Sequence, residues 1–262
     1  MNLTTMTFDL TDHIATITLN RPDAANALDL KMSQDLLAVA SRCDSADVRA
    51  VILTGTGKMF CAGGDVTSFA AAGDGVTELM RNMTCFLHGA IARFARMNAP
   101  LITAVNGTAA GAGLSMAITG DVILAASSAK FTMAYTKIAV SPDGSSTFYL
   151  PRLVGMAKAK EMILLNPVYT AEEAKSFGMV TEVVADDALM ARAQTLAKQL
   201  ASGPTAAYGE TKRLLVDSFS NSLETQMELE TRAIAGLACY SKDAKEGFKA
   251  FTEKRKASFE GK

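Results

Sequence analysis

The chain has 262 residues, 49% hydrophobic and 20% charged, a length that suits one large globular domain or one domain with an appendage. Its formal net charge of −1 gives no electrostatic reason to expect nucleic acid or an anionic membrane as a partner. The four cysteines lack the CxxC spacing of zinc or disulfide frameworks, and the N-terminus shows no secretory pattern, which together favour reduced thiols and a cytoplasmic location.

The first hundred residues alternate between strand and helix patterns. Alternating apolar and polar residues predict a β-hairpin over Thr7 to Asn20, and helical spacing follows over Leu28 to Cys43. Arg49 to Thr54 is predicted as a short buried strand. A second helix is predicted over Thr77 to Met97 and ends before Pro100, because the residue before a proline avoids the α region.

The middle of the chain repeats this order. Strand Leu101 to Val105 leads through a glycine-rich segment into a short helix, Gly113 to Thr119, and then into strand Val122 to Ala125. The uncharged stretch Leu101 to Gly120 is long enough to cross a membrane, but its polar residues and glycines argue against a transmembrane span. The alternation of buried strand, glycine turn and helix predicts an α/β fold.

After Ala126 the pattern becomes mostly helical. A capping box opens a helix at Thr170, and the amphipathic stretches Leu189 to Leu200 and Thr205 to Phe219 follow. The C-terminal helices cannot bury much surface alone, so we expect them to pack on the core or on a neighbouring subunit. We therefore divide the chain into a core of residues 1–200 and a helical region of residues 201–262.

Two glycine-rich segments are the candidate site motifs. In Phe60-Cys-Ala-Gly-Gly-Asp65, Gly63 and Gly64 let the backbone approach a ligand closely, and a helix after Asp65 would offer free amides to a negative charge. The structural alternative is a turn in which Asp65 only caps that helix. Asn106-Gly-Thr-Ala-Ala-Gly-Ala-Gly-Leu114 repeats the pattern, and two converging amides are what a developing oxyanion requires.

A nucleotide-binding alternative uses some of the same glycines. Gly107, Gly111 and Gly113 have the phosphate-binding spacing of short-chain dehydrogenases, and Tyr208 and Lys212 match the catalytic pair of that family. The order of the motifs argues against it, because those glycines normally lie on the first strand. We expect Tyr208 and Lys212 to lie one turn apart on the surface of a helix.

Five motifs follow one another in a consistent order from about residue 5 to residue 260. They are Asn20-Arg-Pro-Asp-Ala-Ala-Asn-Ala-Leu28, Val51-Ile-Leu-Thr-Gly with the first glycine segment, Ala104-Val-Asn with the second, Ser141-Pro-Asp-Gly with Leu150-Pro-Arg-Leu-Val-Gly155, and Ala250-Phe-Thr-Glu-Lys-Arg-Lys256. Together they resemble the crotonase (enoyl-CoA hydratase/isomerase) superfamily. The resemblance implies a spiral of ββα turns followed by C-terminal helices that trimerise, giving a homotrimer or a homohexamer.

The resemblance also implies an acyl-CoA site. The backbone amides of Gly64 and Ala112 would form an oxyanion hole, and Ala112 keeps the required N–H although the family usually has glycine there. The positions that would contact the acyl-CoA are Ala25, Ala62, Gly63, Asp65, Tyr135, Phe251 and Lys254. Phe251 and Lys254 would typically reach the coenzyme A of an adjacent subunit, although Lys254 is equally well explained as a solvated charge.

The acid–base residues decide the reaction. Ser115 and Tyr135 stand where the hydratase pattern has two glutamates, and hydroxyls with pKa values of about 10 or above are poor bases near neutral pH. Asp143, in a Pro-Asp-Gly turn, matches the catalytic aspartate of several enoyl-CoA isomerases and of the 4-chlorobenzoyl-CoA dehalogenases. His88 resembles the histidine base of the dehalogenases in its position, but beside Leu87 a core or interface role is favoured.

The sequence therefore predicts an enoyl-CoA isomerase in which Asp143 moves the proton, with His88 and Ser115 as auxiliary residues. The alternatives are an enoyl-CoA hydratase, a dehalogenase-like enzyme and a CoA-binding protein without turnover. The dehalogenase is disfavoured because the chain has no tryptophan to clamp an aromatic ring, and Tyr135 takes that place. We expect no metal, and no cofactor beyond the coenzyme A of the substrate.

Overall fold

A computed structural model describes residues 1–262, which form ten strands and eleven α-helices. The strands are β1 (Met6–Thr11), β2 (Ile14–Leu19), β3 (Ala50–Gly55), β4 (Met59–Cys61), β5 (Leu101–Val105), β6 (Thr108–Ala110), β7 (Val122–Ala126), β8 (Lys130–Thr132), β9 (Tyr169–Thr170) and β10 (Glu182–Val184). The helices are α1 (Leu30–Cys43), α2 (Val66–Ala71), α3 (Val76–Arg96), α4 (Ala112–Ala117), α5 (Ser146–Val154), α6 (Met156–Leu165), α7 (Ala171–Ser176), α8 (Leu189–Ala201), α9 (Thr205–Asp217), α10 (Leu223–Tyr240) and α11 (Lys242–Thr252).

The strands form two sheets that the chain visits in turn. The six-stranded sheet has the order β1-β2-β3-β5-β7-β10, antiparallel in the β1–β2 hairpin and parallel elsewhere. The four-stranded sheet has the order β4-β6-β8-β9. Three pairs of consecutive strands, β3/β4, β5/β6 and β7/β8, each place the first strand in the six-stranded sheet and the second in the four-stranded sheet. At least one helix follows each pair. This is the predicted α/β spiral of ββα turns, and the prediction is confirmed.

Strand β5 shows why the uncharged middle segment is not a membrane span. All five residues of β5 are buried, as expected for a parallel strand covered on both faces. No helix of the structure combines the length and the apolar composition that a membrane crossing needs.

Several predicted elements are confirmed within a few residues, namely the hairpin, the helices α1, α3, α8 and α9, and the capping box at Thr170. The expectation of a mostly helical chain after Ala126 is incomplete, because β8, β9 and β10 lie in that region. Those strands have only two or three residues, too few for the alternation that reveals a strand in sequence.

The C-terminal helices pack partly on the core. The prediction that Lys212 lies on a helix surface is wrong: its side chain is 8% exposed and its Nζ lies 2.7 Å from Oδ2 of Asp121. Nζ also donates hydrogen bonds to the carbonyl oxygens of Phe94 and Ala99, so Lys212 joins α9 to the end of α3. The domain boundary at residue 200 and the oligomeric state stay predictions.

Candidate active site

A cavity of about 510 Å³ lies where α2 and α3 face the two glycine segments. Nineteen residues line it, twelve of them hydrophobic, so most of its wall suits an apolar group. Val66 and Met83 both line the cavity. Phe148 lies outside this lining, and its ring stacks on the Arg152 guanidinium, 3.6 Å from the ring centroid.

The two glycine segments are in contact at the floor of this cavity. Gly63 has a φ of +103°, and a Cβ at that position would lie 2.9 Å from the carbonyl oxygen of Ala110 and 3.4 Å from the amide nitrogen of Ala112. Gly111 has a φ of +51°. Glycine is required because both conformations are left-handed and the two backbones approach closely.

The amides of Gly64 and Ala112 are unpaired. Neither N–H donates a hydrogen bond within the chain, whereas the neighbouring amides of Ala62 and Asp65 donate to Ala25 O at 3.0 Å and to Leu28 O at 2.8 Å. Ala112 is the first residue of α4, where a helix leaves its N–H groups free. Since both residues line the cavity, the structure brings two free donors to one polar corner of an apolar pocket.

Asp65 does cap a helix. Its Oδ1 accepts the Ser68 amide at 3.2 Å, so α2 begins where the sequence predicts a helix start. Its Oδ2 accepts from Arg21 at 3.0 Å, and Asp65 does not line the cavity. The Asp65 side chain is thus engaged with the protein, and its contact with substrate stays a prediction.

Asp143 lies on the cavity wall inside a hydroxyl network. The Tyr135 hydroxyl donates to Asp143 Oδ1 at 2.6 Å, and the Ser115 hydroxyl lies 2.9 Å from that of Tyr135. The Ser115 hydroxyl also lies 3.0 Å from the Asp143 carbonyl oxygen. Burial, and then the negative charge of Asp143, raise the pKa of Tyr135 well above its usual range, so Tyr135 stays protonated and acts as a donor.

His88 does not lie in the core, one of the two places that the sequence favours; the other, an interface, stays a prediction. Its side chain is 51% exposed, and its Nε2 lies 3.7 Å from Asp143 Oδ2. The Gly144 amide donates to Nε2 at 3.2 Å, which requires Nε2 to carry no proton in this arrangement. The neighbouring Leu87 is buried and lines the cavity. Because His88 stands next to this buried residue on α3, the apolar pattern of the helix does not reveal its exposed position.

Other predicted contacts lie elsewhere in the single chain. Phe251, near the end of α11, is 85% exposed, and neither Phe251 nor Lys254 lines the cavity. Ala25 lies in the segment hydrogen-bonded to Ala62. Arg21 was missed altogether as a site residue: it stands beside Asp65 only because the chain folds back, and its place in the Asn-Arg-Pro motif carries no sign of this partner.

The arrangement combines two chemical abilities. Free amides held in an apolar pocket stabilise negative charge that develops on an oxygen atom, because they need no reorganisation and face little competing water. A carboxylate beside them can take up and return a proton. The site therefore suits the formation of an enolate from a bound thioester.

The chain is similar to a known family, to two characterised relatives and to a solved structure. A model of the family described as Enoyl-CoA hydratase/isomerase matches residues 9–262. The chain is 39% identical over 251 residues to 1,2-epoxyphenylacetyl-CoA isomerase of Escherichia coli strain K12, with 95% of each chain covered. It is 34% identical to 4-chlorobenzoyl coenzyme A dehalogenase-2 of an Arthrobacter species, covering 86% of this chain and 82% of the relative. The crystal structure of enoyl-CoA hydratase from Bacillus anthracis superposes with a TM-score of 0.91 at 32% identity, covering 99% of this chain and all of that one.

Proposed function

The chain belongs to the enoyl-CoA hydratase/isomerase family, and from this premise we propose that it is an enoyl-CoA isomerase that moves a carbon–carbon double bond with Asp143 as the acid and base. The thioester oxygen of the substrate accepts hydrogen bonds from the amides of Gly64 and Ala112. These bonds favour the enolate and so make the protons at the α and γ carbons more acidic.

One carboxylate is sufficient for the proposed reaction. Asp143 removes a proton from one end of the allylic system, and the electron pair shifts the double bond while negative charge collects on the thioester oxygen. The protonated carboxyl then returns the proton to the other end, so the reaction consumes no water and needs no second carboxylate. The coenzyme A arrives with the substrate, and no separate cofactor enters the reaction.

The observation that carries this proposal is the environment of Asp143. It is the single carboxylate among the residues that line the cavity. Ser115 and Tyr135, at the positions of the two glutamates of the hydratase pattern, are hydrogen-bonded to each other and to Asp143. A pair of carboxylates that activates water is therefore not assembled here, which favours isomerisation over hydration.

The mostly apolar cavity supports an uncharged acyl group, and both an unsaturated fatty acyl chain and an aromatic-derived acyl chain fit this chemistry. The relative named as an isomerase of an epoxyphenylacetyl-CoA supports the second. We further propose a cytoplasmic homotrimer or homohexamer in which Phe251 and Lys254 contact the coenzyme A of an adjacent subunit. The exposed Phe251 is consistent with such a contact.

The test uses two substrates. A 3-enoyl-CoA and crotonyl-CoA are incubated separately with the enzyme, and the products are separated by chromatography with mass detection. We expect conversion of the 3-enoyl-CoA to its 2-enoyl isomer without a mass change and little gain of water by crotonyl-CoA. Predominant hydration would instead establish a hydratase, and no reaction with either, at normal acyl-CoA binding, would indicate a protein that only binds CoA.

The Asp143→Asn variant tests the assigned residue. Its isomerase rate should fall by about 100- to 10,000-fold, the usual contribution of a general acid–base group, while acyl-CoA binding persists. Asp74→Asn is the matched control, because Asp74 also precedes a glycine but lies in the exposed 3-10 helix Gly73–Gly75, outside the cavity. Full turnover by Asp143→Asn would show that another group moves the proton.

One observation favours a second candidate function. The approach of His88 to Asp143 places a histidine beside the carboxylate, as a dehalogenase-like hydrolysis of an aryl-CoA needs. Against this, His88 Nε2 already accepts the Gly144 amide and so is not free to act as a base. Release of chloride from 4-chlorobenzoyl-CoA would establish the second function, and its absence together with bond migration would leave the first.

A further inference from the structure

The Arg21 guanidinium lies between the carboxylates that cap two different helices. Its Nη2 is 3.2 Å from Asp29 Oδ2 and 3.0 Å from Asp65 Oδ2. Asp29 accepts the Met32 amide at 2.7 Å and begins α1, while Asp65 begins α2. One cation thus joins the first turns of two helices that are far apart in the chain.

The residues that immediately precede these two caps are paired with each other. Leu28, just before Asp29, forms a parallel β-bridge with Gly64, just before Asp65. The Leu28 amide donates to Gly63 O at 2.7 Å, and the Asp65 amide donates to Leu28 O at 2.8 Å. The peptide groups on both sides of Gly64 are therefore held by Leu28, while the Gly64 N–H itself stays free.

A third contact fixes the Leu28 side of this pair. Arg21 Nη1 donates to the carbonyl oxygen of Ala27, the residue before Leu28. The three groups that Arg21 binds therefore all lie within one residue of the Leu28–Gly64 bridge. This geometry needs a planar group with several donors, which arginine provides and the single ammonium of lysine does not.

The contact is partly shielded from water. The side chains of Arg21 and Asp65 are 22% and 13% exposed, so their attraction is screened less than that of a surface pair. Burial acts to raise the pKa of Asp65, but hydrogen bonds from Ser68 and Arg21 bring that pKa below its ordinary value. Asp65 is accordingly charged at neutral pH and can pair with the Arg21 cation there.

We propose that Arg21 is a positioning residue that aims the Gly64 amide at the thioester oxygen by clamping the Asp29 and Asp65 caps together. This inference rests on the proposed role of Gly64 in the oxyanion hole. Without the clamp, the Leu28 and Gly64 segments move relative to each other, and the Gly64 N–H no longer points at the thioester oxygen. Donor placement matters because a misplacement of about 1 Å can cost about 100-fold in rate.

The test measures donor placement directly. 4-(Dimethylamino)cinnamoyl-CoA is a conjugated thioester whose absorbance band moves to longer wavelength when hydrogen bonds polarise its carbonyl group. The band is recorded for the wild type and for Arg21→Gln at saturating probe, so that a change in affinity does not affect the reading. We expect a smaller red shift in Arg21→Gln, together with a kcat between about 10 and 100 times lower and a smaller change in KM.

Arg42→Gln is the matched control. Arg42 also forms an ion pair with an aspartate, Asp47, at 2.6 Å, but this pair is on the surface and away from the cavity. The control should show the full red shift and full turnover. An equal loss in Arg42→Gln would mean that removal of any arginine from such a pair disturbs the site, and the proposal would then be wrong.

Two further variants keep the proposal testable if Arg21→Gln does not fold. Arg21→Lys keeps the charge but loses the planar fork, and Asp65→Asn keeps an oxygen that can cap α2 but loses the charged partner. Each should reduce the red shift, and the double variant Arg21→Gln/Asp65→Asn should be no worse than the poorer single variant, because both act through one contact. Additive losses would contradict the clamp.

The outcomes separate this inference from the proposed function. If the wild type itself produces no red shift, the Gly64 and Ala112 amides do not polarise the thioester and the proposed function fails. If the wild type shifts the band and the Arg21 variants shift it equally, the oxyanion hole stands and the inference about Arg21 is wrong.

Discussion

Tyr135 donates a 2.6 Å hydrogen bond to Oδ1 of Asp143 from a position eight residues earlier in the chain. The bond occupies one carboxylate oxygen, while Oδ2 lies 3.7 Å from His88 Nε2. Ser115 supports the same phenol from α4. The carboxylate is therefore oriented by side chains that cannot replace it as a base.

Tyr135→Phe should slow the reaction without abolishing it. The substitution removes a hydrogen bond to a charged group, which contributes about 1.5–3 kcal/mol, and we expect kcat to fall by about 10- to 100-fold. Tyr169→Phe is the matched control, because its hydroxyl also donates to a carboxylate at 2.6 Å, that of Glu161, far from the cavity. The measurement is the kcat of both variants in steady-state kinetics. An unchanged kcat in Tyr135→Phe would show that Asp143 does not need the hydrogen bond from Tyr135.

His88→Ala should have a modest effect if His88 only holds the turn that carries Asp143. The hydrogen bond from Gly144 is between neutral groups and contributes about 0.5–1.5 kcal/mol, so kcat should fall by no more than about tenfold. His13→Ala provides the comparison, since His13 Nδ1 contacts the Asp47 carbonyl in a loop outside the cavity. A loss of more than about 1,000-fold would indicate that His88 itself transfers a proton.

Lys212→Met should destabilise the fold. The variant leaves Asp121 and two carbonyl oxygens without their shared donor, and we expect a loss of about 2–4 kcal/mol in the free energy of unfolding, below the cost for a fully buried pair because Asp121 is 29% exposed. Urea titration measures the loss.

Two companion variants check this interpretation of Lys212. Lys198→Met, at an exposed lysine of α8, should change stability by less than about 0.5 kcal/mol. Adding Asp121→Asn to Lys212→Met should recover part of the loss, since the unpaired charge is gone while Leu101 N keeps an acceptor. A double variant that is less stable than Lys212→Met would contradict the ion-pair explanation.

Acid should remove the stabilisation that Asp65 provides. The folded state lowers the pKa of Asp65, so its contribution is complete above the unfolded value of about 4 and is lost as pH falls through the folded pKa. Between pH 5 and pH 3, about the window in which an aspartate titrates, the melting temperature of the wild type should therefore fall more than that of Asp65→Asn. Equal slopes for wild type and Asp65→Asn would contradict the prediction.

Local elements were largely predictable because their signals lie in adjacent residues. The alternation over Thr7 to Asn20 predicts the β1–β2 hairpin, and Thr170 with Glu173 predicts the capping box. The glycine segments were equally readable, because the positive φ values at Gly63 and Gly111 favour glycine at those positions. The strands β8, β9 and β10 could not be predicted in this way. Each has only two or three residues, and their pairing with neighbouring strands, not a sequence pattern, makes them strands.

The sequence motifs identified several residues that line the cavity, namely Gly64, Ala112 and Asp143, but not how these residues are arranged. The position of His88 on an apolar helix favoured a core or interface residue. Packing of α3 against the Asp143 turn instead places His88 at the cavity. A side chain at the border of a helix face goes to the core or to the site according to what packs there, and this depends on residues far away in sequence.

The sequence alone thus determined the two glycine turns, the family and the shortage of carboxylates, since each depends on residue type and local spacing. Only the tertiary structure decided which partners these residues meet. Arg21 binds Asp65 across 44 positions of the chain, and Lys212 binds Asp121 across a still longer separation. Such contacts form when the sheets and helices pack together. A charged group that loses water on packing is costly unless it is paired, and the fold determines which opposite charge lies close enough to pair with it.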